Sequence, residues 1–448
     1  MSDVLVSGGT VVSASGSARA DLLISNGRVD AVGLDLPAAE RNVDATDLII
    51  LPGGVDTHVH LMEPGDPSRE DFPSGTAAAA ARGVTTIIEH THGHPIREVV
   101  DLHEKKSHLA GRSNVDFALA AHTWPDRVDQ IGDLWRAGVA FFKIFTCSTH
   151  GVPGLDPANL LAALKELSAA GAATLIHCED ESITAVAEKA LKDEGRHDNG
   201  LLLEWRSREA ELVATAAAAS LVAVTGVRAT IAHVSSPSVA AVVTDAQARG
   251  ANLAAEACPQ YLLLRENEVH SCGSFRKFTP PARARSDADE EAMWELVRNG
   301  TYSHFSTDHA PSTKEQKLEG DIWVAPFGLP GLDTTFPVLI DAALSGKIAM
   351  TDVARLYSET PAKKYGLFPR KGHLAPGADA DFVLVDPKAT WEIGTADLLS
   401  KAGWSPYTGR TLKGRAIATY LGGEEIARDG QSHQLRTGSF IAGPGTIA

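Results

Sequence analysis

Leu48-Ile-Ile-Leu-Pro-Gly-Gly-Val-Asp-Thr-His-Val-His60 contains the makings of two strands and the turn between them. The apolar run Leu48-Ile-Ile-Leu51 has the texture of a strand, and Pro52-Gly53-Gly54 turns the chain into the next one. Side chains two apart on a strand point the same way, so His58 and His60 face one small volume. Imidazole is a good ligand for divalent zinc, manganese or iron, and two on one face make half a metal site. Such pairs also arise by chance on surfaces, so the weight falls on the residues that follow.

Downstream, apolar runs of strand length alternate with longer Ala- and Leu-rich stretches. The strand candidates are Thr85-Thr-Ile-Ile-Glu89, Asp116-Phe-Ala-Leu-Ala120, Ala140-Phe-Phe-Lys-Ile-Phe145, Thr174-Leu-Ile-His177, Ala229-Thr-Ile-Ala-His233 and Asn252-Leu-Ala-Ala-Glu256. Helices are expected over 156–170 and 236–250 among others. Repeated strand–helix units imply a parallel sheet covered by helices, and so many of them in about 300 residues imply a closed barrel. The chain ends differ: short strands such as Val4-Leu-Val-Ser7 and Asp21-Leu-Leu-Ile24 are punctuated by the hairpin signal Asn26-Gly27. Similar texture returns in Ala380-Asp-Phe-Val-Leu-Val385 and Ile417-Ala-Thr-Tyr-Leu421. The expected fold is α/β: a (β/α)8 TIM-like barrel over 53–367. A smaller β-sandwich domain is expected from both chain ends, 1–52 plus 368–448.

At 448 residues the chain is too long for one small core, which agrees with two domains. A net charge of −16 argues against a nucleic-acid partner, which calls for a basic footprint. Met1-Ser-Asp-Val lacks the basic and apolar runs of a signal peptide, and no apolar segment reaches the roughly 20 residues that span a bilayer. Cys147, Cys178, Cys258 and Cys272 form no Cys-x-x-Cys pair, so neither a disulfide framework nor a thiolate zinc site is expected. These features fit a cytoplasmic enzyme without a membrane partner.

His58 and His60 are joined by His177, His233 and Asp308, each at or just past a strand end. In a barrel the C-terminal strand ends converge on one site, so residues far apart in sequence can meet there. Lys143, within Phe141-Phe-Lys-Ile-Phe145, adds an amine that is costly to bury as a cation. An ion pair or a Schiff base would account for it. Beside histidines a third reading fits better: carbon dioxide adds to the neutral amine, giving a carbamate that can bridge two metals.

These residues, with Leu61-Met-Glu-Pro-Gly65, His233-Val-Ser-Ser236, Glu256-Ala-Cys-Pro-Gln-Tyr-Leu262 and Ser306-Thr-Asp-His-Ala-Pro311, resemble the binuclear cyclic amidohydrolases. That group includes allantoinase, hydantoinase, dihydropyrimidinase and dihydroorotase. The resemblance runs from about residue 4 to about residue 430. It takes in Lys371-Gly-His-Leu-Ala-Pro-Gly-Ala-Asp-Ala-Asp381, where a structural role is expected. It implies two divalent metal ions, zinc by preference, with His58, His60 and Asp308 on one and His177 and His233 on the other. Carboxylated Lys143 and a hydroxide would bridge them. The implied reaction is attack of that hydroxide on a cyclic amide, ureide or imide, with Asp308 as the catalytic proton carrier and ring opening as the result. A small-molecule substrate and a homo-oligomer, tetramer or dimer, are implied as well. Deamination of a heterocycle on the same scaffold is the competing enzymatic reading, although such relatives lack the strand lysine. A non-catalytic, collapsin-response-like interaction protein is the third, although such proteins have lost metal ligands.

The substrate contacts implied are Thr279, in Lys277-Phe-Thr-Pro-Pro281, whose backbone would hold a ureide, together with Ser148, His92 and Phe327. Several positions depart from the family. Ser148 stands where hydantoinases place an oxyanion tyrosine, and Phe327 where they place an asparagine. Met62 replaces the carboxylate-gripping arginine of dihydroorotases. Asp66 replaces the arginine that follows Glu-Pro-Gly in allantoinases. The run His90-Thr-His-Gly-His94 is unusual, and supplies pocket donors, an extra metal site or a polar loop. His309 is expected to pack on the opposite strand face, and Glu63 and His150 to be solvated.

Overall fold

The computed structural model describes residues 3–433 and 438–446. Residues 434–437 and 447–448 of the expected end segments, and Met1 and Ser2 at the start of the chain, lie outside the described residues. Gly54–Val59, Val84–Glu89, Asp116–Leu119 with Ala121–His122, Phe142–Phe145, Ala173–His177, Arg228–Ile231, Leu253–Ala257 and Tyr302–Phe305 are parallel strands, each paired with the next. The third strand changes partner midway. Ala120 N–H donates to Glu89 O at 3.0 Å, and Ala121 N–H donates to Phe141 O at 3.1 Å. At the far end, His309 N–H donates to His58 O at 3.3 Å and His60 N–H to His309 O at 2.8 Å.

The strand interiors are buried on both faces, which is why they read as near-continuous apolar runs. Helices run back between them. Pro157–Ala170 starts where the Asp156 carboxylate accepts from Asn159 N–H and stops at left-handed Gly171, φ +68°. Pro237–Ala248 is two residues shorter at its end than 236–250, because Gly250 turns to φ +92°. Among the described residues, no helix is long and apolar enough to cross a membrane.

The chain ends form two further sheets. One is ordered Arg28–Gly33, Asp21–Ser25, Val4–Ser7, Arg41–Asp44. The other aligns Glu424–Arg428, Thr411–Leu421, Phe382–Glu392, Ile49–Pro52 and Thr10–Ser13. Val6, Leu22 and Ile24 of the first pack with Ile50, Phe382 and Leu384 of the second in one buried cluster. Asn26 and Gly27, at φ +51° and +75°, make the tight turn that their pairing suggests. The chain leaves Ile49–Pro52 through Gly53, where a β-carbon would sit 2.1 Å from Thr85 Oγ1. Only glycine permits that crossing between sheets.

Residues 438–446 depart from the expected grouping with the end sheets. Phe117 N–H donates to Ser439 O at 3.0 Å and Ile441 N–H to Phe117 O at 2.7 Å. The pairing of Phe142–Phe145 with the third strand begins only at Ala121, so the edge of Asp116–Leu119 is open for this segment.

Candidate metal centre

Glu256 organises one side of the centre from within its strand. Its Oε2 accepts from His58 Nδ1 at 2.8 Å and from His233 N–H at 2.9 Å, and its Oε1 from the Ser306 hydroxyl. With Nδ1 so engaged, His58 turns Nε2 inward, 2.9 Å from Lys143 Nζ and 3.1 Å from Asp308 Oδ1. His60 is set likewise: Nδ1 lies 2.7 Å from His90 O, and Nε2 lies 3.5 Å from the same Asp308 oxygen. Across the site His177 Nδ1 and His233 Nε2 are 2.9 Å apart, and His177 Nε2 meets Glu179 Oε2 at 2.8 Å. Asp308 and His233 both adopt left-handed backbone angles, φ +51° and +35°, where residues with a β-carbon are uncommon.

Electrostatics keep the donors in ligand form. Burial pushes the His58 and His233 imidazoles well below their ordinary pKa, and His177 below it. Burial also lowers the Lys143 amine to about 8, against the pull of Asp308 and Glu256. Burial raises the Asp308 carboxyl, but His58 and His60 outweigh it and hold the group below the usual range. Burial likewise raises Glu179, yet Arg206 and His177 outweigh it and bring it down to about 2. Neutral imidazoles thus gather around the Lys143 amine, and His233 Nδ1 is buried with no partner among the described residues. A donor set this rich in nitrogen, with one carboxylate, fits divalent transition metals of the zinc type.

These residues line a cavity with His92, His150, Thr279 and Phe327 on its walls. The amidohydrolase family profile matches residues 49–426. This chain belongs to the amidohydrolase family. An allantoinase of Rubrobacter xylanophilus is 34% identical over 448 residues, covering 98% of this chain and 97% of its own. An allantoinase of Escherichia coli is 30% identical over 437 residues, 95% of each. The solved L-hydantoinase (dihydropyrimidinase) from Arthrobacter aurescens superposes with a TM-score of 0.94 at 29% identity, over 99% of this chain and 100% of that one. A dihydropyrimidinase from Brevibacillus agri superposes at 0.92 with 26% identity, over 100% of each chain.

This amidohydrolase brings His58, His60, Lys143, His177, His233 and Asp308 around one cavity, as their strand-end positions suggest. Thr279 donates from Oγ1 to Glu179 at 2.6 Å, and Phe327 lies over Lys277 Nζ at 4.4 Å. Ser148 is different: it is exposed and faces a neighbouring hollow beside Trp124 and Glu188. Its N–H is tied to the Glu181 carboxylate, and its hydroxyl oxygen accepts from Gly154 N–H at 3.3 Å. His150, expected in solvent, takes its place, 4.5 Å from the His92 ring and at φ +56°. Glu63, also expected in solvent, is buried; it accepts from Phe72 N–H at 2.7 Å and pairs with Arg112 at 2.6 Å. His309 is buried, accepting at Nδ1 from Gly331 N–H at 2.9 Å and Leu332 N–H at 3.2 Å. The sequence alone assigns no role to Glu256, which enters only as part of a motif, or to Glu179 and His122. A carboxylate inside the apolar run Leu-Ala-Ala-Glu256 was the available signal for the first.

Proposed function

We propose that this amidohydrolase opens the ring of a cyclic ureide, as in allantoin or a hydantoin, at the cavity of His58 and Asp308. The chain is a hydrolase of C–N bonds in cyclic amides. What carries the reading is Lys143, a buried strand amine 2.9 Å from His58 Nε2 in a nitrogen-rich cavity. His58, His60 and Asp308 would hold one divalent ion and His177 and His233 a second, zinc by ligand type, with Lys143 as a carbamate between them. Such ions supply an acidified water and polarise the carbonyl under attack.

The chain's own groups do the rest. Asp308 takes the proton of the attacking water and delivers it to the departing ring nitrogen. Glu256 fixes the His58 ring so that Nε2 faces the reaction. The Thr279 backbone holds the ureide edge, and His92, His150 and Phe327 bound the ring. Ser148 belongs to the mouth rather than to the oxyanion.

The fold reading goes with it. A closed (β/α)8 barrel is supported by the His58–His309–His60 backbone bonds, which join the first strand to the segment just past the last. A β-sandwich from 1–52 plus 368–448, with 438–446 laid along the third strand of a barrel of 53–367, is supported by the shared cluster of the two end sheets. A cytoplasmic homo-oligomer, tetramer or dimer, completes the reading.

Zinc-loaded protein is to be offered allantoin, hydantoins, dihydrouracil, dihydroorotate and cyclic imides, with ring opening followed by absorbance. Turnover of a ureide above the others is expected. Inertness toward the whole panel in metal-replete protein would sink the reading.

A further inference from the structure

Three buried histidines cluster beside the metal centre, and the chemistry above gives their ring nitrogens no partner, although His92 also lines the cavity. His90 follows the strand Val84–Glu89, His92 lies two residues on, and His122 ends the third strand. Their exposures are 1%, 8% and 2%. Both ring nitrogens of each, six in all, are buried without a hydrogen-bond partner among the described residues. One nitrogen from each ring falls in a group whose members all lie within 4.8 Å of one another.

The bland account is an aromatic box. His90 packs against Phe141 at 5.4 Å and His92 against Phe145 at 5.5 Å, and His122 stacks on Phe145 at 6.2 Å. Phenylalanine or leucine would fill such a box without cost, whereas an unsatisfied buried polar group costs about 1–3 kcal/mol. Three such rings converging on one point call for a shared partner. A buried water or a cation can be shared by three neutral imidazoles, and three nitrogen donors with no oxygen ligand among them suit the cation.

We infer that His90, His92 and His122 form a further site for a divalent transition metal, beside the centre built on His58 and Lys143. Imidazole ligands select zinc, cobalt, nickel or copper over magnesium and calcium, which want oxygen. Three protein imidazoles leave a fourth position for water or a cavity ligand, as open zinc sites do. His90 also lies within reach of His58 and His60. His60, however, is engaged at Nδ1 by the His90 carbonyl and at Nε2 by Asp308, while His92 and His122 have no other hydrogen bond among the described residues. Glu89, one residue before His90, is paired with Lys105 at 2.5 Å. His92 reaches the cavity itself and stacks on His60 at 4.0 Å, so the two sites share a wall.

The test counts metal in the full-length protein after equilibrium dialysis against zinc, and again against cobalt. Wild type should hold about three equivalents per chain, and both His122→Asn and His92→Asn about two. Equal content in wild type and both variants overturns the inference and leaves the His58–Lys143 centre standing. Circular dichroism checks that the variants fold. Should they not, cobalt titration of wild type decides the matter. A third equivalent with strong tetrahedral visible absorption supports the site, and saturation at two overturns it.

Discussion

Asp308 sits at φ +51° and His233 at +35°, and such angles cost roughly 1–3 kcal/mol each for residues other than glycine. The conformation is over-determined by its surroundings. His309 next to Asp308 is held by Gly331 and Leu332, and Glu256 holds the His233 backbone. In return Asp308 Oδ1 reaches both His58 and His60. Asp308→Asn keeps the shape and tolerates the angle but cannot carry the proton. Turnover should fall about 10²–10⁴-fold with an unchanged circular dichroism spectrum, and near-normal turnover would move the base elsewhere. Lys143 makes the sharper case. Lys143→Ala should lose metal and activity and regain part of both with acetate, which can fill the space as a carboxylate. Lys143→Arg should not be rescued, because its guanidinium stays charged and cannot form a carbamate. Full activity of Lys143→Ala without acetate would remove the bridging role. Each of these residues was legible in the sequence because it ends or interrupts an apolar run. His122 was not, because one histidine after Ala120-Ala121 carries no sign that His90 and His92 meet it.

At the scale of elements, strands were legible and loops were not. An apolar run of four to six residues can only be buried, and the expected strands match Val84–Glu89, Ala173–His177 and Leu253–Ala257 within a residue or two. Loop direction has no such period. Within one loop Ser148 faces outward while His150, two residues on, lines the cavity. The run Lys371 to Asp381, where a structural role was expected, joins elements in a way that can be tested. Lys371 Nζ contacts Asp116 at 2.5 Å, Asp381 at 2.6 Å and Asp379 at 2.9 Å. It thereby ties the strand Asp116–Leu119 to the start of Phe382–Glu392, and these carboxylates hold its pKa above the ordinary value despite burial. Lys371→Met leaves buried carboxylates unpaired, and should lower unfolding stability by about 3–5 kcal/mol in urea titration. Little change would mean that water or proton uptake compensates.

For the molecule as a whole, alternating strands and helices between two β-rich ends announced the α/β class. The contact between the first strand and the segment just past the last one did not, since it rests on backbone bonds between His58, His60 and His309, roughly 250 residues away. The same span makes metal a stability term. The proposed ligands run from His58 to Asp308 and come from strands that share few local contacts in sequence. Ions held by them therefore cross-link the parallel sheet in the native state and find no formed site in the unfolded chain. A ligand that binds only the native state stabilises it by RT ln(1 + [L]/Kd), about 2.7 kcal/mol at a hundredfold excess over Kd. Chelation should accordingly lower the calorimetric unfolding midpoint, and added zinc should restore it in a concentration-dependent way. Lys143→Ala should have a smaller chelation shift than wild type, because it has already lost the bridge. A midpoint indifferent to chelator in wild type, with metal removal verified by elemental analysis, would show that the strands hold the site open without the ions.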